Sequence, residues 1–319
     1  MIFKQLIEVY DLLDSPSVSG QAVIDYLRSI DPHCDAETYT LNGYAGSTDM
    51  VRIRIPGKQG KSQGGAALTL GLLGRLGGLG ARPERIGFVS DGDGALAVIA
   101  VAAKLLSMRV RGDILDGDVF ISTHVCPDAP TMPHDPVPFM GSPVSTADIN
   151  QEEVSEDIDA ILSIDTTKGN RIINTRGFAL SPTVRQGVIL PASSDLLALM
   201  ETTTGRLPQV FALSHYDITP YGNALHHINS ILQPSTATKA PVVGVAVTTE
   251  SAVAGCATGA THLVDIEEAG TFMIEVAKAF GRGQCAFYDE EQWCIFAERY
   301  GSLESLQTMG NLPVANPNT

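Results

Sequence analysis

Apolar positions along this chain alternate between helical and extended spacing from one end to the other. Ile2, Leu6, Val9 and Leu13 recur on one face and predict a helix over residues 2–13. The loop SPSVSG leads into a second helix over 20–30, with Ser19 placed as its cap. TYTLNGY, DMVRIRIP and AALTLGLL read as strands. The short apolar run RIGFVS predicts a buried strand ending at DGDG. ALAVIAVAAKLLSM follows, apolar nearly all round, as a helix buried on a sheet must be. DVFISTH is a further strand and opens into a proline-dense loop, VCPDAPTMPHDPVPFMGSPV. EEVSEDID predicts an acidic helical turn, AILSID a buried strand, and RIINTRGFALSPTVRQGVIL a β-rich excursion. SSDLLALMETTTG is a helix capped by Ser193 or Ser194, and HHINSIL belongs to an amphipathic helix. PQVFALS and APVVGVAV are strands, and DIEEAGTFMIEVAKAFG is an amphipathic helix.

This alternation predicts an α/β fold, a three-layer α/β/α sandwich around a central, mostly parallel (mixed) sheet. No repeat or linker divides the chain, so a single domain is expected over 1–305, with a weakly ordered tail at 306–319. A length of 319 residues is sufficient for such a core.

Composition narrows the function. A net charge of −15 argues against nucleic acid or an anionic membrane as partner. The longest apolar runs are too short to span a bilayer, and the first residues lack the pattern of a signal peptide. The five cysteines, Cys34, Cys126, Cys256, Cys285 and Cys294, are scattered and odd in number, which predicts a reduced, cytoplasmic protein. The composition is also compatible with a homo-oligomer.

In open α/β sheets, chemistry collects beyond the carboxyl ends of the strands. Asp91 and Asp93 follow RIGFVS, and His124, Cys126 and Asp128 follow DVFIST. Asp165 ends AILSI, and the loop after APVVGVAV ends at His262. His215 and Asp217 follow PQVFALS. Carboxylates and imidazoles from separate strand ends are the donor types of a catalytic zinc site. Gathered carboxylates also repel one another unless a cation or protons offset them. A metal site is therefore expected. Each residue also has a plainer reading, since an Asp after a strand is often a turn former and a lone His often a packed structural residue.

The segments FVSDGDGALAVIAVAAKLL, ISTHVCPDAPTMPH, ILSIDTTKGNRIIN, DITPYGNALHHINSILQP and GCATGATH resemble, over nearly the whole chain, the bacterial and archaeal family catalogued as domain of unknown function 1177. More distantly, the order of elements is similar to the co-catalytic zinc exopeptidases, a superfamily of aminopeptidases, carboxypeptidases and deacylases. That resemblance implies a zinc-exopeptidase-like fold. It puts Asp91 in the place of the metal-bridging aspartate, with Asp165 and His262 as further ligands. It also exposes departures. GRLGGLG stands where the superfamily carries His-x-Asp, so Arg75 replaces a ligand and Gly77 its orienting carboxylate. THVCPD replaces a Glu-Glu pair, leaving His124 or Asp128 as substitute ligands. Two metals about 3.5–4 Å apart would need the missing set, so the resemblance implies one metal at most.

Three functions follow. The first is a metal-dependent hydrolase of small peptides or amides, of metallo-aminopeptidase or amidohydrolase type. Zinc is its expected ion, bound by Asp91, Asp165 and His262 with His124 or Asp128. Asp128, His124 or Asp93 is its base, and Lys168, Asp217 and Tyr221 its substrate-side residues. The second is a catalytically altered protein of the same fold that grips a small carboxylate or amide ligand through Arg75. The third uses Cys126 as a nucleophile beside His124.

Overall fold

Two helices open the chain, α1 (Phe3–Leu13) and α2 (Gly20–Ile30), as their apolar spacing predicts. Ser19 caps α2, its hydroxyl accepting from the Ala22 amide. The computed structural model describes residues 1–75, 78–80, 86–133, 135, 138–251 and 259–310. Gly77 and Cys256 fall outside them, as does the end of the expected tail, 311–319. The start of that tail is tied down, since Gln307 Nε2 donates to the Thr238 carbonyl at 3.1 Å.

β1 (Asp35–Gly43) and β2 (Gly46–Ile55) form an antiparallel hairpin, followed by β3 (Leu70–Gly74). A 3-10 turn at Ser90–Gly92 leads into α3 (Asp93–Val110) and then β4 (Val119–Val125). The proline-dense loop carries only a short two-stranded ribbon, β5 (Thr131–Met132) with β6 (Phe139–Met140). After α4 (Thr146–Glu153) come β7 (Ala160–Thr166), β8 (Gly177–Leu180), β9 (Val184–Arg185) and β10 (Val188–Ile189). The chain then forms α5 (Ser194–Thr204), β11 (Val242–Thr248), α6 (Leu263–Gly281) and α7 (Glu290–Tyr300).

Among the described residues the sheet runs β1-β2-β4-β3-β7-β11-β9-β10, with β8 also on β11. Its centre, β4-β3-β7-β11, is parallel, and its flanks are antiparallel. The fold is therefore α/β with a mixed sheet. Alternate residues divide its faces. Leu72, Ile121, Leu162, Ile164, Val243 and Val245 point to one face, where α1, α2, α3, α5 and α6 pack. α3 lies between α1, α2, α6 and the sheet, which explains its all-round apolar sequence. Leu73, Phe120, Ile161 and Ala246 point to the other face. That second layer is made of α4 and irregular chain carrying Phe211, Ile218, Ile231 and Leu232. No helix among the described residues is long and apolar enough to cross a membrane.

Four sequence expectations differ from these elements. The described part of RIGFVS is not a strand. Gly87 there takes a left-handed φ of +94°, and the Phe88 amide donates to the Asp14 carboxylate at 2.6 Å rather than to a ladder. PQVFALS forms a single bridge, Val210 to Leu180. HHINSIL is not helical, because its polar side chains bond elsewhere: His227 to the Thr219 carbonyl, Ser230 to Asp165. The helix near EEVSEDID lies earlier, at TADINQEE, where Ser145 supplies the cap.

Candidate functional site

Sheet register sets the first row of the site. Leu73 pairs with Ser122 of β4 on one side and Ser163 of β7 on the other. Two residues further along each strand stand Arg75, His124 and Asp165, so all three side chains emerge on the face away from the main helix layer. All three are buried. The Arg75 amide donates to the Ile164 carbonyl at 2.8 Å, which extends the β3–β7 ladder to this level.

Two glycines bring α3 down onto that row. A Cβ on Gly94 would sit 2.7 Å from the carbonyl oxygens of both Arg75 and Ile164. One on Gly74 would sit 2.6 Å from the Gly94 carbonyl. Only bare backbone permits this approach. It places Asp91 and Asp93, at the start of α3, against the carboxyl ends of β3 and β7.

Four buried carboxyl groups now meet two buried cations. Arg75 pairs with Glu153, the last residue of α4 and fully buried. Burial pushes the Glu153 carboxyl up while Arg75 pulls it back. The Arg75 Nε and Glu153 Oε1 atoms have no hydrogen-bond partner among the described residues. Lys168 Nζ lies 2.9 Å from Asp93 Oδ2, and Thr261 Oγ1 donates to Asp93 Oδ1 at 2.8 Å. Asp93 is raised by burial against the opposing pull of Lys168. Asp165 accepts from Ser230 Oγ at 2.6 Å and from the Thr166 amide at 2.7 Å. Burial pushes it up to about 6, although Ser230, Arg75 and the Thr166 amide oppose the rise.

Asp91 differs from the other three. It is 5% exposed, and no hydrogen bond or ion pair reaches its carboxylate among the described residues. Burial, then the charges of Asp165 and Asp93, hold it well above the ordinary carboxylate range.

The remaining candidates divide by location. Tyr221, partly exposed, feels the charge of Asp165, which puts it at the edge of the cluster. His124 turns its Nδ1 to Thr48 Oγ1 at 2.9 Å, and burial, then Arg75, lowers it to about 3, so it is a neutral imidazole. His262 caps α6, half-exposed, with Nδ1 3.4 Å from Asp265 Oδ2. Asp217 is engaged locally, accepting from Ser214 and from the Ile228 amide. Asp128 is exposed. His215 and His226 are exposed, and His227 lies against Tyr221 with ring centroids 4.4 Å apart. Cys126 is buried and pushed up to about 11, which removes the low-pKa thiolate that a nucleophilic role needs.

Sequence reasoning missed Glu153, Ser230 and Thr261. Glu153 was hidden in an acidic run that reads as solvated surface. Ser230 and Thr261 lie in irregular chain, where spacing carries no directional signal. A signal did exist for the row itself: strand parity alone puts Arg75, His124 and Asp165 on one face.

The cluster can exchange protons near neutrality and can receive positive charge. Among the described residues, no three His, Cys, Asp or Glu side chains are grouped to hold a metal by themselves.

The fold and this site define an α/β protein with an acid-rich centre at the carboxyl ends of its parallel strands. Residues 39–310 match the family described as "Protein of unknown function (DUF1177)", and the chain belongs to it. No curated protein matches the chain. Among solved structures it is similar to the bottromycin maturation enzyme BotP in complex with Mn, at 16% identity and TM-score 0.49, over 87% of this chain and 70% of that one. It is similar to a glutaminyl cyclase from an Acidobacteriales bacterium, at 13% identity and TM-score 0.49, over 88% and 94%. The LapA aminopeptidase of Legionella pneumophila is similar at 12% identity and TM-score 0.49, over 87% and 70%. The side chains described above, not these likenesses, carry the functional conclusion.

Proposed function

We propose that this protein is a hydrolase-like enzyme for a small amide or peptide, with at most one divalent cation, seated at Asp91 and Asp165. The supporting observation is the buried Asp91 carboxylate that no hydrogen bond or ion pair reaches among the described residues. A carboxylate in that setting is either protonated or matched by a cation. The two-carboxylate donor set is all oxygen. It suits Mg²⁺ or Mn²⁺, which complete their coordination with water and substrate. Zinc, the ion expected from sequence, would draw on His262 or His124, and those are turned toward Asp265 and Thr48. When bound, the ion supplies Lewis acidity toward an amide carbonyl.

The chain's own residues supply the rest. Ser230 fixes the orientation of Asp165 for that ion. Of the bases expected at Asp128, His124 and Asp93, Asp93 lies inside the cluster, held by Lys168 and Thr261. Tyr221 lines the edge where a substrate amide would enter. Arg75 and Lys168, expected to grip substrate, act as internal counter-ions of Glu153 and Asp93. The free cysteines among the described residues accord with a cytoplasmic enzyme.

The same two ion pairs favour a second reading, a metal-independent binding site for the same class of ligand. Chelation followed by metal return separates the two. Cleavage of small amides or dipeptides that is lost on chelation, restored by Mn²⁺ and absent in Asp91→Asn supports the hydrolase. Ligand binding that survives chelation unchanged, with no metal-dependent cleavage, supports the second reading.

A further inference from the structure

His227 sits where both of its ring nitrogens meet acceptors. Nδ1 lies 3.1 Å from the Leu225 carbonyl oxygen. Nε2 lies 3.0 Å from the Thr219 carbonyl oxygen and 3.1 Å from Thr219 Oγ1. That hydroxyl donates its one proton to the Tyr216 carbonyl, at 2.9 Å, so it too faces Nε2 as an acceptor. A neutral imidazole carries one N–H and satisfies one side, whereas the imidazolium donates to both.

The ring closes a turn that is strained. Gly222 and Ala224 both take left-handed φ, +88° and +65°, and the second belongs to a residue with a side chain. The carbonyl held by Nδ1 belongs to Leu225, the residue after Ala224. The ring itself lies against Tyr221, with centroids 4.4 Å apart. A cationic ring against an aromatic face is an attractive pairing. Three residues on, Ser230 donates to Asp165 at 2.6 Å, so this clasp stands at the wall of the acid cluster. The other titratable groups around His227 are Asp217, whose Oδ1 accepts from the Ile228 amide at 3.1 Å, and the exposed His215, Tyr216 and His226.

We infer that His227 is the positioning residue of Tyr221: as an imidazolium it clasps the turn from Thr219 to Leu225 on both sides, and loss of one proton to solvent releases the Leu225 side. Nε2, facing two acceptors, keeps its proton, and Nδ1, facing one, gives it up. Tyr221 is then freed from its place at the edge of the site. The substrate-side role of Tyr221 rests on the proposed function, and the clasp itself does not.

Nitrogen-15 NMR of protein labelled at histidine and tyrosine tests it, since ring-nitrogen shifts report which nitrogen carries a proton. His227→Gln assigns the His227 signals, with His227→Asn as the second variant, and Tyr221→Phe assigns the Tyr221 ring. The expected result, between about pH 5 and 8, is that Nδ1 loses its proton while Nε2 keeps it. The Tyr221 ring signal shifts over the same interval, and that shift is lost in His227→Gln and His227→Asn. Loss of the proton from Nε2, or a ring whose protonation stays constant throughout, overturns the inference. So does a Tyr221 signal that ignores the change, or one that shifts alike without His227. No substrate or metal enters the measurement, so failure of the hydrolase reading leaves these outcomes unchanged and the two ideas fail separately.

Discussion

Ser230 Oγ donates to Asp165 Oδ2 at 2.6 Å, joining an irregular segment of the second layer to the carboxyl end of β7. The charge of Asp165 is felt at Tyr221, on the partly exposed edge of the site. Removing the hydroxyl in Ser230→Ala deprives a buried carboxylate of a charge-assisted bond. The expected loss is about 1.5–3 kcal/mol of stability in urea unfolding. Because Ser230 opposes the rise of Asp165, its removal moves Asp165 further upward, which a carboxyl-carbon NMR titration reads directly. An unchanged titration would place the bond outside the working site.

Asp165 and His124 give the stability curve two opposed slopes. Asp165 sits near 6 in the folded protein against an ordinary 3.8. The folded state therefore keeps a proton that the unfolded chain releases, and stability falls as pH rises from about 4 to 6, by about 3 kcal/mol. His124, near 3 against 6.5, acts the other way. The unfolded chain takes a proton that the buried imidazole refuses, so stability rises with pH from about 3 to 6.5. Unfolding free energies measured across this range for Asp165→Asn and His124→Asn separate the terms. Asp165→Asn should reduce the falling component, to which Asp91, Asp93 and Glu153 also contribute, and His124→Asn should remove its rising one. A parallel shift of the whole curve in either variant contradicts the assignment.

Arg75 and Glu153 should behave as a unit. Losing either partner strands a buried charge, so Arg75→Met or Glu153→Gln alone is expected to cost about 3–5 kcal/mol. The double variant should recover a large part of that loss, because no unmatched charge remains. Additive single losses in a double-mutant cycle would show that the two side chains do not compensate one another.

Much of this architecture was legible from the order of residues. α1, α2, α6 and the burial of α3 follow from apolar period, and the alternation of strands and helices implies the parallel centre, whereas α7 has no counterpart in that reading. Asp91, Asp93 and Asp165 announce themselves as carboxylates at the ends of apolar runs, and they do meet. What spacing could not convey was direction. Lys168 reads as a substrate-side lysine, yet its ammonium lies in the interior, 2.9 Å from Asp93. Arg75 reads as a ligand-gripping cation, and only the end of α4 shows it matched by Glu153. His262 and His124 read as metal ligands, yet Nδ1 of His262 lies against Asp265 and Nδ1 of His124 against Thr48. The RIGFVS run failed as a strand because Gly87 broke the extended backbone and Asp14 captured the next amide.

The central claim is the proposed cation at Asp91, a buried carboxylate. Isothermal titration of Mn²⁺ into chelator-treated protein, beside Asp91→Asn and Asp165→Asn, tests it most directly. Binding to a single site is predicted, lost in Asp91→Asn, weakened in Asp165→Asn, and accompanied by proton release because Asp91 is held well above the ordinary carboxylate range. No Mn²⁺ binding by the natural protein, or equal binding by Asp91→Asn, would contradict the account.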